Sequence, residues 1–214
     1  MSVDSAPRGR IDKRAAILDA AASVFAREGY AQAGVDVIAV EAGVAKATVY
    51  SHFGDKQRLL RETLAAEADR AAEANLAVVE RLLTVGEDLP RALEEVAGQL
   101  LECFLDGHSR ALWRLVTAEV VQFPDLADVF LGRAASRVNQ ALADRLLALA
   151  VAGRLRVEDP ALAAEQFGSL LTGGLEARTR FGTRDLPAAE RAEIARAAVD
   201  TFLRAFAPDS ATRR

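Results

Sequence analysis

The 214-residue sequence predicts an all-α fold, and three observations support this prediction. The chain is rich in Ala, Leu, Glu and Arg, which are good helix formers. Apolar residues recur at helical spacing, as in Ile11, Ala15, Leu18, Ala22 and Phe25, and we find no convincing alternating strand. Prolines flank the periodic segments and interrupt none of them, as expected because proline is tolerated in the first turn of a helix and damaging inside one.

Taken in order, these signals predict about nine helices. The clearest start is at "EDPALAAEQF", where Asp159 suits the N-cap and Pro160 the first helical position. Gly43 and Gly54 suit helix ends, because glycine readily takes the left-handed conformation that closes a helix. The predicted helices span residues 11–28, 35–42, 46–52, 56–84, 90–106, 109–121, 125–152, 160–180 and 187–206.

Composition and charge exclude several classes of protein. Residues 1–60 carry eight Lys/Arg and seven Asp/Glu in a chain of net charge −4, so the whole molecule is not a basic nucleic-acid coat, although anion binding at one end is allowed. The single cysteine permits no intrachain disulfide, and the N-terminus lacks the apolar stretch of a signal peptide. No apolar run is long enough to span a bilayer. We therefore expect a cytoplasmic protein with no membrane partner.

An enzyme is not expected from this sequence. His52 and His108 lie too far apart in the chain to suggest a metal cluster. No glycine-rich phosphate loop follows a strand, and no nucleophile-elbow pattern occurs. We expect no catalytic residues, no metal site and no cofactor.

The segment 35–53, "VDVIAVEAGVAKATVYSHF", predicts a helix-turn-helix. Its apolar residues can hold both short helices onto the first helix. This leaves polar side chains on the open side of the second, and they suit a phosphate backbone, because lysine supplies charge and Thr, Tyr and Ser supply hydroxyl donors. Ala47 allows a close approach to the groove floor. The open side consists of Lys46, Ala47, Thr48, Tyr50, Ser51 and His52.

Residues 11–60 resemble the DNA-binding domain of the TetR (tetracycline-repressor-like) transcriptional regulators. The resemblance lies in "ILDAAASVFAREGY" (17–30), in the 35–53 segment and in "DKQRLL" (55–60). It implies an all-helical homodimer that binds a palindromic double-stranded DNA operator. It also implies that Lys46, Thr48, Tyr50 and His52 contact the DNA, mainly at phosphates, with Lys56 doing so from the start of the next helix.

Four positions depart from the family pattern. Ala33 and Gly34 stand where Thr or Ser usually caps the second helix, and Ala45 replaces the usual Ser at the start of the recognition helix. These first three positions lack the hydroxyl contacts with phosphate. Ala47 replaces a frequent Gly.

The rest of the chain resembles, more weakly, the ligand-binding and dimerisation domain of the same family. We assign residues 10–56 to the DNA-binding domain and 57–207 to this larger helical domain. Family analogy places the last two helices in a four-helix bundle formed by the dimer. The apolar residues that recur at helical spacing on these helices can belong either to that interface or to the chain's own core. The interface candidates are Phe167, Leu170, Leu171, Leu175, Ile194, Ala198 and Phe202.

Bulky side chains between the two ends of the chain are candidates for an effector pocket. An apolar cleft with a few polar groups suits a small, largely apolar ligand. Each of these residues taken singly could equally pack in the core. The pocket candidates are Cys103, Phe104, His108, Trp113, Phe123 and Phe130.

Two functional interpretations follow. The first is a ligand-responsive transcriptional regulator, a repressor that binds its operator as a dimer and is released by a small-molecule effector. The fourth helix, about 56–84, is the expected lever between effector and DNA. The alternative is an all-helical ligand- or protein-binding module without operator binding, which the missing hydroxyl caps favour. Duplex binding that weakens steeply with salt would argue against this alternative.

Overall fold

A computed structural model describes residues 6–84 and 88–208, with side chains from residue 12 onward except those of residues 83–87 and 108. All regular secondary structure in these ranges is helical, which confirms the all-α class. The helices are α1 (Ala6–Gln32), α2 (Val35–Glu41), α3 (Lys46–Phe53), α4 (Lys56–Val79), α5 (Leu89–Leu105), α6 (Gly107–Glu119), α7 (Asp125–Phe130), α8 (Ser136–Val151), α9 (Pro160–Thr172), α10 (Leu175–Arg178) and α11 (Ala188–Phe206).

The helices form two compact units. The first unit contains the described residues up to Arg70 together with Gly107–Arg133, and the second contains Ala71–Asp106 and the described residues from Ala134 on. Helix α4 therefore contributes residues to both units. Contacts divide the chain differently from the predicted functional domains, because α6 and α7 pack with α1 to α3.

The first unit is built around the inner face of α1. Ile17, Val24 and Phe25 on α1 are fully buried, and Ile38 of α2 and Phe53 of α3 are buried in the same cluster. Val35, Ala39 and Val49 complete the contact, with Ala42 and Val44 partly buried beside them. The apolar spacing of the sequence therefore predicted correctly how α2 and α3 attach to α1.

The second unit is a bundle formed by α5, α8, α9 and α11 with the end of α4. Helix α5 shows how the sequence produces it. Its buried residues recur at helical spacing on one face, and the side chain of Asp88 caps its start by accepting a hydrogen bond from the Arg91 N–H at 3.1 Å. Phe167 of α9 meets Phe202 of α11 edge to face, with ring centroids 5.1 Å apart.

Two predicted helices are interrupted. The predicted helix 125–152 consists of α7, a five-residue π-helical segment (Leu131–Ala135) and α8. The predicted helix 160–180 ends at Thr172, and α10 follows as a single short turn. Gly173 is needed at this break, because a Cβ there would lie 2.8 Å from the Ser169 carbonyl oxygen. Helix α9 thus ends at Gly173, which is its C-cap residue.

Other predicted boundaries agree with the structure to within a few residues. Helix α1 begins five residues before the predicted start, at Ala6, and its regular part ends at Gly29, whose φ of 74° is not helical. The last turn of the predicted helix 56–84 is a 3₁₀ segment, Glu80–Thr84. In the described part of the chain, no helix combines the length and apolar character needed to cross a membrane.

Candidate DNA-binding site

The turn between α2 and α3 is a Schellman motif. The N–H of Val44 donates to the Ala39 carbonyl at 3.0 Å, and the N–H of Gly43 donates to the Val40 carbonyl at 3.1 Å. Gly43 has a φ of 64°, in the left-handed region that glycine adopts without strain. These local bonds set the angle at which α3 leaves α2.

Helix α3 is closed at its far end by Gly54, whose N–H donates to the Tyr50 carbonyl at 2.8 Å. Asp55 then caps α4, since its Oδ1 accepts from the N–H of Arg58 at 2.7 Å. At the starts of α2 and α3 the N-caps are Gly34 and Ala45, which have no side-chain oxygen to offer. The N-terminal N–H groups of both helices are thus not capped by these residues' side chains.

The open face of α3 presents the predicted contact residues to solvent. Lys46 and Ala47 are exposed, Thr48 and His52 are half-buried, and the Tyr50 side chain is left 42% exposed. Tyr50 is therefore accessible on the open face of α3. A small residue, a cation and two hydroxyls on one short helix can approach a groove and contact phosphates.

Lys56, at the start of α4, is held by neighbouring groups of the first unit. Its Nζ lies 3.3 Å from the Ala31 carbonyl oxygen and 4.6 Å from the centre of the Tyr30 ring. The Tyr30 ring in turn meets Phe123 edge to face at 5.2 Å. Lys56 thus braces the turn between α1 and α2, and its ammonium retains further donors for an anion.

Most cations of the first unit, among those whose side chains the structure describes, have carboxylate partners within the chain. Most of these partners are ten or more positions apart in the sequence, which is why the sequence did not reveal them; Arg58 and Glu62, four positions apart on α4, are an exception. Surface ion pairs of this kind stabilise little individually, but they reduce the free positive charge of the unit. These pairs include Arg14–Glu62 (2.5 Å), Arg58–Glu62 (2.7 Å), Arg27–Glu41 (2.7 Å), Lys46–Asp36 (2.8 Å), Arg61–Asp125 (2.5 Å), Arg133–Asp69 (2.9 Å) and Arg70–Asp19.

The six pocket candidates are not gathered in one core. Cys103 and Phe104 are partly buried in the second unit, and burial, aided by nearby Glu102, raises the pKa of the Cys103 thiol. In the first unit Phe123 is buried and Trp113 lies against Phe130, with centroids 5.9 Å apart. The side chain of His108 lies outside the described residues. An effector pocket formed by these six residues remains a prediction.

Most of the dimer candidates belong to the core of the chain itself. Phe167 is 0% exposed and Phe202 is 1% exposed within the single chain, so neither has surface to offer a partner. Leu171, Leu175, Ile194 and Ala198 are also buried, whereas Leu170 is 39% exposed. The sequence left both roles open for these residues. Phe167 and Phe202 pack against each other in the core of the chain itself. The other five candidates line a groove in the second unit, and their place in a dimer interface stays a prediction.

Sequence reasoning missed a group of buried polar atoms in the second unit. The Asn75 side chain is 5% exposed, and its Nδ2 donates to the Ala71 carbonyl at 2.8 Å, which fixes the orientation of the amide. Its Oδ1 has no hydrogen-bond partner among the described residues, and the same is true of Gln99 Oε1 and Arg145 Nε. Buried polar atoms of this kind usually find a partner, so they mark places where a ligand or water can bind.

Two family models match this chain. Residues 17–63 match the model described as bacterial regulatory proteins of the tetR family. Residues 91–208, more than half of the chain, match the model described as the C-terminal domain of AefR-like transcriptional repressors. A curated relative, the HTH-type transcriptional activator FasR of Mycolicibacterium smegmatis, is 42% identical over 60 residues, which are 28% of this chain and 27% of FasR.

Solved structures match nearly the whole chain. A protein from Mesorhizobium loti described as a TetR-family transcriptional regulator superimposes with a TM-score of 0.88 at 26% identity, covering 92% of this chain and 98% of that one. The flavonoid-responsive regulator FrrA matches at a TM-score of 0.69 and 30% identity, with coverage of 92% and 98%. A regulator from Saccharomonospora viridis in complex with choline matches at a TM-score of 0.63 and 25% identity, with coverage of 89% and 95%.

The helix-turn-helix, the helical second unit and these matches together define a DNA-binding transcriptional regulator. The chain belongs to the TetR family of transcriptional regulators. It is not an enzyme, because the family consists of DNA-binding transcription factors.

Proposed function

We propose that this regulator is a dimeric repressor that binds a palindromic operator through α3 and is released by a small-molecule effector. Residues 10–56 read the DNA, and residues 57–207 hold the effector and the dimer contact. The observation that carries the proposal is the exposed face of α3, whose direction is set by the Schellman turn. On this face Lys46, Thr48 and Tyr50 contact phosphates, Ala47 approaches the bases, and His52 lies at the edge.

Few of these side chains can read bases directly. Helix α3 has no Arg, Asn or Gln, the side chains that make bidentate contacts with guanine or adenine. Operator choice therefore depends strongly on the sequence-dependent shape of the DNA, which backbone contacts sense indirectly. Family membership favours this DNA-binding function over a module that has lost operator binding.

The dimer contact involves the outer faces of α9 and α11. Leu162 and Leu170 are exposed apolar residues two turns apart on α9, and Ala197 and Thr201 are exposed on α11. Leu170, Ala197 and Thr201 also line a groove of about 210 Å³ in the second unit. Pairing of these faces from two chains makes a four-helix contact. The dimer presents two copies of α3 at the spacing of successive major grooves, about 34–36 Å.

The effector binds in the second unit and is largely apolar with at least one hydrogen-bond donor. The buried Oδ1 of Asn75 accepts from this donor, which removes the cost of leaving that oxygen unpaired. FrrA is named for its response to flavonoids and the S. viridis regulator was solved with choline, which supports a small organic ligand here. Helix α4, shared by both units, transmits the change to α3.

Repression is favoured over activation by the match of the larger part of the chain. That part matches a model of repressor C-terminal domains, whereas the similarity to the activator FasR covers 60 residues. Occluding a promoter needs no further partner surface. Transcription from a promoter carrying the selected operator, with and without the protein, decides between the two roles.

The DNA-binding proposal is tested by selection from a random duplex library at two salt concentrations. The wild type is compared with Lys46→Ala/Tyr50→Ala, and Arg91→Ala on α5 controls for loss of one exposed cation. We expect an inverted repeat that the wild type and the control enrich and the double variant does not, with binding that weakens as salt rises. If the double variant enriched the inverted repeat as well as the wild type does, α3 would be excluded as the recognition helix.

The dimer contact is tested with Leu170→Asp, and Leu147→Asp on α8 is the matched control because Leu147 is a comparably exposed leucine. Sedimentation velocity should show a monomer for the first variant and a dimer for the second. A dimer in both cases would place the contact elsewhere.

A further inference from the structure

An ion pair links the two helices of the helix-turn-helix. Asp36 lies in the first turn of α2, and its Oδ2 is 2.8 Å from the Nζ of Lys46, the first residue of α3. Acceptance of this hydrogen bond by Asp36 raises the pKa of Lys46, so the ammonium stays charged at neutral pH. The pair joins a residue proposed to bind DNA to a residue with no assigned role.

The pair neutralises the positive charge of α3. Lys46 is the only Lys or Arg in the sequence of this helix, "KATVYSHF". Phosphate contacts made by cations supply nearly all of the affinity that a protein has for DNA of any sequence. The Asp36 carboxylate, bonded to this ammonium, therefore weakens the electrostatic part of DNA binding, which does not depend on the DNA sequence.

The pair is not needed to hold α2 against α3. Val35, Ile38 and Ala39 already fix α2 in the core of the first unit, and the Schellman turn joins the two helices. The Asp36 side chain is 71% exposed, so water and salt screen its attraction to Lys46. A weak, exposed pair of this kind exchanges readily when a phosphate comes within reach.

We propose that Asp36 is a positioning residue that competes with DNA phosphate for the Lys46 ammonium and thereby limits binding to DNA of any sequence. The proposal rests on the proposed contact of Lys46 with phosphate. When a phosphate displaces the carboxylate, Asp36 is left close to the polyanion, which further opposes binding. Asp36 thus lowers the salt concentration at which the protein leaves DNA.

The test is a double-mutant cycle of Asp36→Asn and Lys46→Ala in the full-length protein. Fluorescence anisotropy measures binding to a labelled random-sequence duplex of about 30 base pairs over a series of salt concentrations. Glu41→Gln is the matched control, because Glu41 is also a carboxylate of α2 paired to a cation, Arg27. Urea unfolding of each variant confirms that it folds.

We expect Asp36→Asn to bind the random duplex several-fold more tightly than the wild type. Its plot of log affinity against log salt should be steeper by up to about 0.9 per protomer, the value for one added phosphate contact. In the Lys46→Ala background the same substitution should give a much smaller gain. Glu41→Gln should leave the slope unchanged.

Two results would overturn the proposal. One is an Asp36→Asn variant with the affinity and salt slope of the wild type. The other is an equal gain with and without Lys46, which would show general charge repulsion instead of competition for the ammonium. Failure of the underlying DNA contact is separately visible, because Lys46→Ala alone would then bind as the wild type does.

Discussion

Replacing Gly43 by alanine tests whether the left-handed residue of the helix-turn-helix determines its stability. A Cβ at Gly43 would meet no atom within 4 Å, so the substitution adds no clash. The φ of 64° costs an L-residue about 1–2 kcal/mol. Alanine recovers about 0.4–1 kcal/mol by restricting the unfolded chain. The net expectation is a loss of about 1 kcal/mol in the free energy of unfolding.

A second glycine-to-alanine substitution, which is expected to raise the free energy of unfolding, is the control for this test. Gly98 lies inside α5, has no positive φ, and a Cβ there would also meet nothing within 4 Å. Alanine at this position should stabilise the helix by about 0.5–1 kcal/mol, because glycine is a poor helix former. Gly43→Asn should lose less than Gly43→Ala, since Asn tolerates the left-handed region better.

The assay is urea unfolding at a fixed protomer concentration, monitored by circular dichroism and by the fluorescence of Trp113. This tryptophan is the only one in the chain and lies in the same unit as Gly43. In a thermal melt of the same variant, a loss of about 1 kcal/mol corresponds to a fall of roughly 2–4 °C in melting temperature for a chain of this size. If Gly43→Ala were neutral or stabilising while Gly98→Ala behaved as expected, the turn would not require a left-handed residue and the reasoning would be refuted.

Three further predictions concern buried or partly buried side chains. Burial alone would raise the pKa of Glu62, but hydrogen bonds from Arg58 and Arg14 outweigh it and lower that pKa below 4.5. The ionised Glu62 carboxylate therefore stabilises the folded state above pH 4.5, and this contribution is lost as pH falls through the lowered pKa. In Glu62→Gln the free energy of unfolding should depend less on pH in the acid range. An unchanged pH profile would contradict this. Phe167→Ala should lower the free energy of unfolding by about 3–5 kcal/mol in denaturant titrations, and a loss below 1 kcal/mol would show that Phe167 is not core. Asn75→Leu should leave the melting temperature unchanged or raise it, because it removes an unpaired buried oxygen; a large fall would show that this oxygen has a partner.

The local structure of the helix-turn-helix was predictable because its capping and helix-ending residues act over about one helical turn. Gly43 and Gly54 end α2 and α3, and Asp55 caps α4, each through hydrogen bonds to residues at most five positions away. Asp159 and Pro160 start α9 for the same reason. Periodic apolar residues then identified which faces of α2 and α3 meet α1.

The sequence alone thus determined the helical class, most helix ends and the side chains exposed on α3. The tertiary structure decided the rest, because each remaining feature depends on groups far apart in the sequence. Phe167 and Phe202 bury each other in one chain, although their spacing fits an interface equally well. Phe123 packs on Tyr30. The positive charge of α3 is also partly neutralised by Asp36, which lies beside Lys46. The sequence could not show this, because an ion pair depends on the distance between two atoms and not on composition.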